Sequence, residues 1–157
     1  MKICGIDPRK LPPVDFLVLP RAGGELVIKA RGVSDMDEFD KICPEPIATS
    51  VLMANGESVP ETDSKDYLSQ KITRAKKRYD YLVIKSLAPS DIEWDNVREN
   101  DSNSWVNWRS DLTDNGFTSF ECNLIFDLVL SVNSLDDAKL EKARKVFLLG
   151  HPQEAAT

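Results

Sequence analysis

The chain holds one histidine, His151, and three cysteines, Cys4, Cys43 and Cys122, and nucleophilic or zinc chemistry would have to be assembled from these. A Ser–His–Asp or Cys–His arrangement would need His151 as its base, within hydrogen-bond reach of a nucleophile and held by a third group. His151 stands one residue past Gly150 and directly before Pro152, where an exposed bystander is the simpler reading. The cysteines are far apart and form no CxxC pair, so neither a zinc spacing nor a disulfide framework can be read from them. Carboxylate pairs occur at Asp91 with Glu93 and at Asp136 with Asp137. Each falls at an expected helix start, where the helix dipole alone accounts for acidic residues. Gly23-Gly24 lies in neither a GxGxxG nor a GxxxxGK pattern. No catalytic residue, cofactor-binding residue or metal ligand is assigned, and the reading is that of a protein that is not an enzyme.

Two other sets of residues suit binding. Trp94, Trp105, Trp108 and Phe117 lie close together in sequence, and tryptophan is enriched in binding hot spots; the same set would also make an ordinary core. The second set is the basic run KITRAKKR, with Lys71, Arg74, Lys76, Lys77 and Arg78. It reads as a solvated helix face or as an electrostatic dock for an acidic partner. Partner contacts are accordingly expected at Trp94, Trp105, Trp108 and Phe117, and at Arg74, Lys77 and Arg78.

The elements that must position these residues are legible as patterns. DFLVLP and ELVIKAR around Arg21-Ala22-Gly23-Gly24 predict a β-hairpin over Val14 to Arg31, with Leu26, Ile28 and Ala30 on one face of the second strand. Ser34 is expected to open a short helix carrying Met36, Phe39 and Ile42, which Pro44 and Pro46 end. Residues 44–63 read as an irregular connector in which TSVLMA pairs briefly beside an Asn55-Gly56 turn. From Ser64 to Ser86, Leu68, Ile72, Ala75, Tyr79 and Leu82 recur at helical spacing and predict a long amphipathic helix with that stripe as its apolar face. Ser90 with Glu93 is expected to cap a short turn bearing Ile92 and Trp94. Trp105, Trp108 and Leu112 share a face of the next helix. Thr118 and Glu121 form a capping box ahead of a helix so apolar (Leu124, Ile125, Phe126, Leu128, Val129, Leu130, Val132) that it reads as a central, buried element. A last helix runs to Gly150, and Gly116 and Gly150 are placed where a left-handed residue closes a helix. The fold class is therefore α+β, mainly α: residues 1–43 as a β-hairpin plus short helix, 44–63 as connector, 64–150 as a helical body of about four helices, and 151–157 as a flexible tail.

The 157 residues suit one domain or one domain with a small appendage. The longest apolar run, Cys122 to Val132, is broken by Asn123 and Asp127 and falls short of the roughly 20 residues a membrane span needs. The N-terminus lacks a signal-peptide pattern, so no membrane and a cytoplasmic site are expected. Of the net charge of −6, residues 1–86 carry 14 basic and 13 acidic groups, and residues 87–157 carry 6 and 13. The halves are thus +1 and −7, and an acidic C-terminal half argues against nucleic acid as a partner.

YDYLVIKSLAPSDIEW (residues 79–94) followed by WVNWRSDLTDNGFTSFECNLIFDLVLSVNSL (residues 105–135) resembles the tail assembly chaperones of long-tailed, siphovirus-type bacteriophages. The resemblance covers about residues 64–150 and, more loosely, 14–42. It rests on Trp105 and Trp108, the Gly116-Phe117 pair, the acidic cap Glu121 and the Asn133-Ser134-Leu135 turn. It implies a short N-terminal β element, a variable connector and a helical body. It also implies a non-enzymatic activity: coating and solubilising the tape measure protein and helping tail tube subunits gather around it. Self-association, between the basic helix of one copy and the acidic half of another, is a further expectation. The short segment after Gly150 suggests the unextended rather than the frameshifted product of this family. Two rivals remain at this level: a small adaptor or inhibitor docking on a host protein, and a small hydrolase or transferase using carboxylates and a metal, whose native state a bound divalent ion would stabilise.

Overall fold

Alternation in the first two strands decides which of their faces is buried. The structure, a computed structural model, describes residues 1–11, 14–134 and 137–152. β1 (Val14–Arg21) and β2 (Gly24–Arg31) pair antiparallel from Val14↔Arg31 to Arg21↔Gly24. Side chains alternate across a strand, so Leu17, Leu19, Leu26, Ile28 and Ala30 turn together toward the core. Val14, Phe16, Val18 and Val27 turn outward and are exposed. α1 (Asp37–Ile42) follows and buries Phe39. Its N-terminus has no side-chain cap from Ser34; the Asp35 carboxylate accepts the Asp37 amide instead, at 3.1 Å.

The connector contains more order than its prolines suggest. β3 (Ser50–Leu52) and β4 (Ser58–Pro60) form a second antiparallel hairpin with Val51 opposite Val59. Every residue of both strands is exposed.

α2 (Lys65–Ser86) is 22 residues long, about 33 Å at about 1.5 Å per residue, and Ser64 caps it by accepting the Tyr67 amide. Its C-terminal half is embedded: Tyr81, Val83, Ile84 and Ser86 are buried. The expected apolar stripe is not the buried face along the rest of the helix. Leu68, Ile72 and Tyr79 are exposed, Ile72 at 57 %, and only Leu82 of that stripe packs on the core. α4 crosses α2 near the C-terminal end of α2, so the first four turns present the stripe to solvent.

After α2, a 3-10 turn at Ala88–Ser90 leads into an extended segment. No helical turn forms over Ile92 and Trp94. The Ser90 hydroxyl goes to β2 instead, accepting the Lys29 amide and donating to the Lys29 carbonyl, both at 2.7 Å. A 3-10 turn (Trp105–Asn107) then runs into α3 (Trp108–Asp114). α3 ends in a Schellman arrangement: the Gly116 amide bonds the Thr113 carbonyl and the Phe117 amide bonds that of Leu112. Gly116 has φ +93°, a conformation that disfavours any side chain.

α4 (Ser119–Val132) carries the capping box in full, Thr118 Oγ1 accepting from Glu121 N–H and Glu121 Oε2 from Thr118 N–H. It packs on β1, β2, α2 and α3. Its burial is one-sided: Cys122, Ile125, Leu128 and Val129 are buried, whereas Phe120 is 82 % exposed and Leu124 is also exposed. Asn133 then ties three elements together. Its Oδ1 accepts the Val33 amide, and its Nδ2 donates to Ser86 Oγ and to the Val129 carbonyl, each at 2.8 Å. Leu135 of the expected Asn-X-Leu turn and Asp136 lie outside the described residues.

α5 (Asp137–Gly150) contains no buried residue. Gly150 ends it without left-handed φ, the His151 amide continuing the helical bonding to the Leu148 carbonyl. Of the expected tail, residues 153–157 lie outside the described residues. With 49 % helix and 16 % strand among the described residues, the fold is α+β and mainly α. One hydrophobic cluster takes side chains from β1, β2, α1, α2, α3 and α4. The connector therefore does not separate two units with cores of their own.

Candidate functional site

The four aromatic residues singled out by spacing divide into two pairs. Trp105 is fully buried, its ring centroid 5.2 Å from Tyr81 and 6.2 Å from Phe39. Its indole N–H donates to the carbonyls of Arg98 and Glu99, both at 3.1 Å. Trp108 is 4 % exposed, stacks on Phe126 and donates from Nε1 to Asp80 Oδ1 at 2.9 Å. Both tryptophans hold the core and are out of a partner's reach, which corrects their expected role in contact.

Trp94 and Phe117 are half-buried and line one cavity of about 260 Å³. The extended segment after the 3-10 turn supplies Ile92, Glu93, Trp94 and Asp95, and β2 supplies Leu26 and Ile28. Leu112, Asn115 and Phe117 close the other side. Local chemistry fixes each wall. Ser90 clips the extended segment to the β2 backbone. The Schellman turn at Gly116 brings Phe117 back over Leu112, and Arg21 stacks over the Phe117 ring at 5.3 Å. Arg21 is held in turn by an ion pair to Glu121, the capping-box carboxylate.

Asp111, Asp95 and Asn115 at this cleft are occupied. Asp111, 4 % exposed, accepts the Asn96 amide on Oδ2 (2.9 Å) and Asn96 Nδ2 on Oδ1 (2.7 Å). Burial acts to raise its pKa, and the amides of Asn96, Val97 and Asp95 outweigh it and hold the carboxyl below its usual value of 3.8. Asp95 accepts from Asn115 Nδ2 at 2.9 Å. An ionised, fully bonded aspartate is a brace and a poor proton carrier. What the cleft offers is apolar surface rimmed by carboxylates, suited to apolar side chains of a partner.

A second, wider concavity lies between Arg31, Asp35, Glu38, Tyr81, Lys85 and Glu99. Here Lys85 Nζ sits 3.1 Å from both Glu38 Oε2 and Glu99 Oε2, and the Tyr81 hydroxyl donates to Glu38 at 3.1 Å. Burial, with the neighbouring Glu38 carboxylate, pushes the Tyr81 pKa up to about 12. Lys85 and the Tyr81 hydroxyl hold Glu38 below its usual value. The single cation Lys85 is thus shared between two carboxylates.

The basic residues of α2 also divide. Arg74 faces the body, bonded to the Cys43 carbonyl and paired with Asp40 and Glu45. Lys77 donates to Ser102 Oγ and Asn103 Oδ1. These two fasten α2 to the connector and to the loop before Trp105, and both are part-buried. Arg78, with Lys71 and Lys76, is exposed. Leu26, Ile28, Ile92 and Leu112 were missed as cleft residues. Their apolar character was evident in the sequence, but the non-local contact that Ser90 makes with β2, which sets the next segment beside it, was not.

Cys43 and Cys122 are buried, and burial raises the Cys122 thiol. His151 is exposed and stacked on Phe147. Among the described residues no group of three or more His, Cys, Asp or Glu is placed to hold a metal ion, and no helix is long and apolar enough to cross a membrane. No protein-family model, curated protein or solved structure matches this chain.

Proposed function

We propose that the protein is a non-enzymatic assembly chaperone that receives apolar side chains of a helical partner in the Trp94–Phe117 cleft. The partner in this reading is the tape measure protein of a long-tailed bacteriophage. The chaperone keeps that protein soluble in the host cytoplasm and helps tail tube subunits gather around it. The observation that carries the binding role is the cleft itself. It is an open apolar cavity whose two aromatic walls, Trp94 and Phe117, pack on the core with one side while backbone bonds at Ser90 and Gly116 hold the segments that carry them. The partner's identity rests on the resemblance of residues 64–150 to the chaperone family. Groove packing of an amphipathic segment is a general mode of recognition that needs no catalytic group.

The test is co-expression with a tape measure protein, followed by size-exclusion chromatography with light scattering. A soluble complex is expected where the tape measure protein alone aggregates. Trp94→Ala is expected to weaken binding by about 2 kcal/mol, about 30-fold in Kd, as loss of a hot-spot aromatic does. A chaperone that stays alone beside insoluble tape measure protein sinks this reading and favours a host-protein adaptor using the same cleft.

A further inference from the structure

The β3–β4 hairpin is an arm. None of its strand residues is buried, and the extensive packing of each strand is on the other. Its ladder extends beyond the strands, with Met53 N–H bonding the Glu57 carbonyl and Glu61 N–H that of Thr49, each at 2.8 Å. With Val51 opposite Val59 and side chains alternating, Val51, Met53 and Val59 share one face, with Glu57 and Glu61 at its two ends. Between Pro44 and Ser64 the chain has four carboxylates (Glu45, Glu57, Glu61 and Asp63) and no cation.

The first four turns of α2 are complementary to that face. Leu68, Ile72, Ala75 and Tyr79 form an exposed apolar stripe. It is continuous with the α2–α4 seam, since the Tyr79 ring meets Phe126 of α4 edge-on at 6.1 Å. By the helical repeat of about 3.6 residues, Lys71 and Arg78 lie along one flank of the stripe and Lys76 along the other. None of these three cations forms an ion pair among the described residues. The stripe is about 16 Å long, and the hairpin face from Thr49 to Met53 spans about 13 Å. Two α2 stripes facing each other would oppose their cations, so an acidic apolar surface suits the stripe better than a second α2 does.

We propose that the β3–β4 arm of one copy docks on the uncovered α2 stripe of a second copy. Val51, Met53 and Val59 cover Leu68, Ile72 and Tyr79, and Glu57 and Glu61 meet the flanking Lys71, Lys76 and Arg78. Arm and stripe are different surfaces. Two copies that trade arms close a dimer, and copies that pass them on build a ring or filament. The contact requires no tape measure protein, so its failure would leave the proposed function standing.

The experiment measures molar mass by light scattering across a concentration series of the full chain, with two charge-reversed variants. Glu57→Lys with Glu61→Lys turns the arm basic; Lys71→Glu with Lys76→Glu and Arg78→Glu turns the stripe acidic. The unaltered chain is expected to rise above its 17.6 kDa monomer mass with concentration. Each variant alone is expected to stay monomeric, while their mixture associates, because the basic arm of one finds the acidic stripe of the other. An unaltered chain that remains monomeric throughout overturns the proposal. So does association that both variants retain, or a mixture that stays monomeric. Should the triple reversal lower the melting temperature, Ile72→Gln changes one exposed side chain and is expected to abolish association by itself.

Discussion

Two aspartates near the tryptophans are pushed in opposite directions by their surroundings. At Asp80, burial raises the pKa, and the bond from Trp108 Nε1 offsets it only in part. The charged form is thus disfavoured in the folded chain, and stability grows as pH falls through the folded pKa. Asp80→Asn keeps an oxygen for the indole N–H and removes the charge. Its melting temperature at neutral pH is expected to equal or exceed that of the unaltered chain, as calorimetry can check. Asp111 is the reverse case: its folded pKa is depressed, so its stabilising effect is present above the usual value of 3.8 and lost as pH falls through the folded value. Asp111→Ala leaves the Asn96 amides unpaired. It is expected to cost about 1–3 kcal/mol at neutral pH, and the gap from the unaltered chain should narrow in acid. A urea series at two pH values measures both quantities. Neither effect was legible in the sequence, where both aspartates are ordinary acidic positions on helices; burial and partners made the difference.

Local grammar and packing can be separated at the level of elements. The capping box of α4 was legible because both of its partners lie within one turn, and it forms as written. Thr118→Ala is expected to lower stability by about 1 kcal/mol in thermal or urea unfolding. Glu121 also holds Arg21, which no local pattern could have indicated. α5 is the opposite case. Its sequence is as helical as that of α4, yet no described residue of it is buried. A chain ending at Ser134 is therefore expected to melt close to the full chain, and a large loss would mean that α5 braces the body. α2 combines both behaviours. Its length and cap were readable, but its apolar stripe is covered by α4 only near the C-terminal end, and Arg74 and Lys77 take the body-facing side of the exposed half.

On the scale of the whole molecule, the acidic C-terminal half is partly neutralised by the N-terminal half. Glu99 pairs with Lys85 and Glu121 with Arg21. The same joining occurs in the core, where Leu19 and Ile28 of the hairpin and Phe39 of α1 lie in one cluster with Trp105, Ile125 and Val129. A shared core unfolds as one unit. In the chain ending at Ser134, urea unfolding followed by tryptophan fluorescence and by far-ultraviolet circular dichroism is expected to give coincident curves. Two separated transitions would show that the hairpin and α1 fold apart from the helices. Among what the molecule leaves uncovered, the Trp94–Phe117 cleft, the arm and the α2 stripe are apolar surface of the kind that marks interaction sites.

By itself, the sequence determined the elements: the first hairpin from alternation and its glycine turn, α2 from periodicity and Ser64, and the end of α3 and start of α4 from Gly116, Thr118 and Glu121. Each of these signals acts between residues a few positions apart, so it survives reading the chain in one dimension. Only the tertiary structure decided which apolar faces were covered. Trp105 and Trp108 went into the core, Trp94 and Phe117 to the walls of a cleft, and Leu68, Ile72 and Tyr79 into solvent. Burial is a property of what lies opposite, and what lies opposite here comes from elsewhere in the chain: Phe39 beside Trp105, β2 beside Trp94, and α4 stopping short of Ile72.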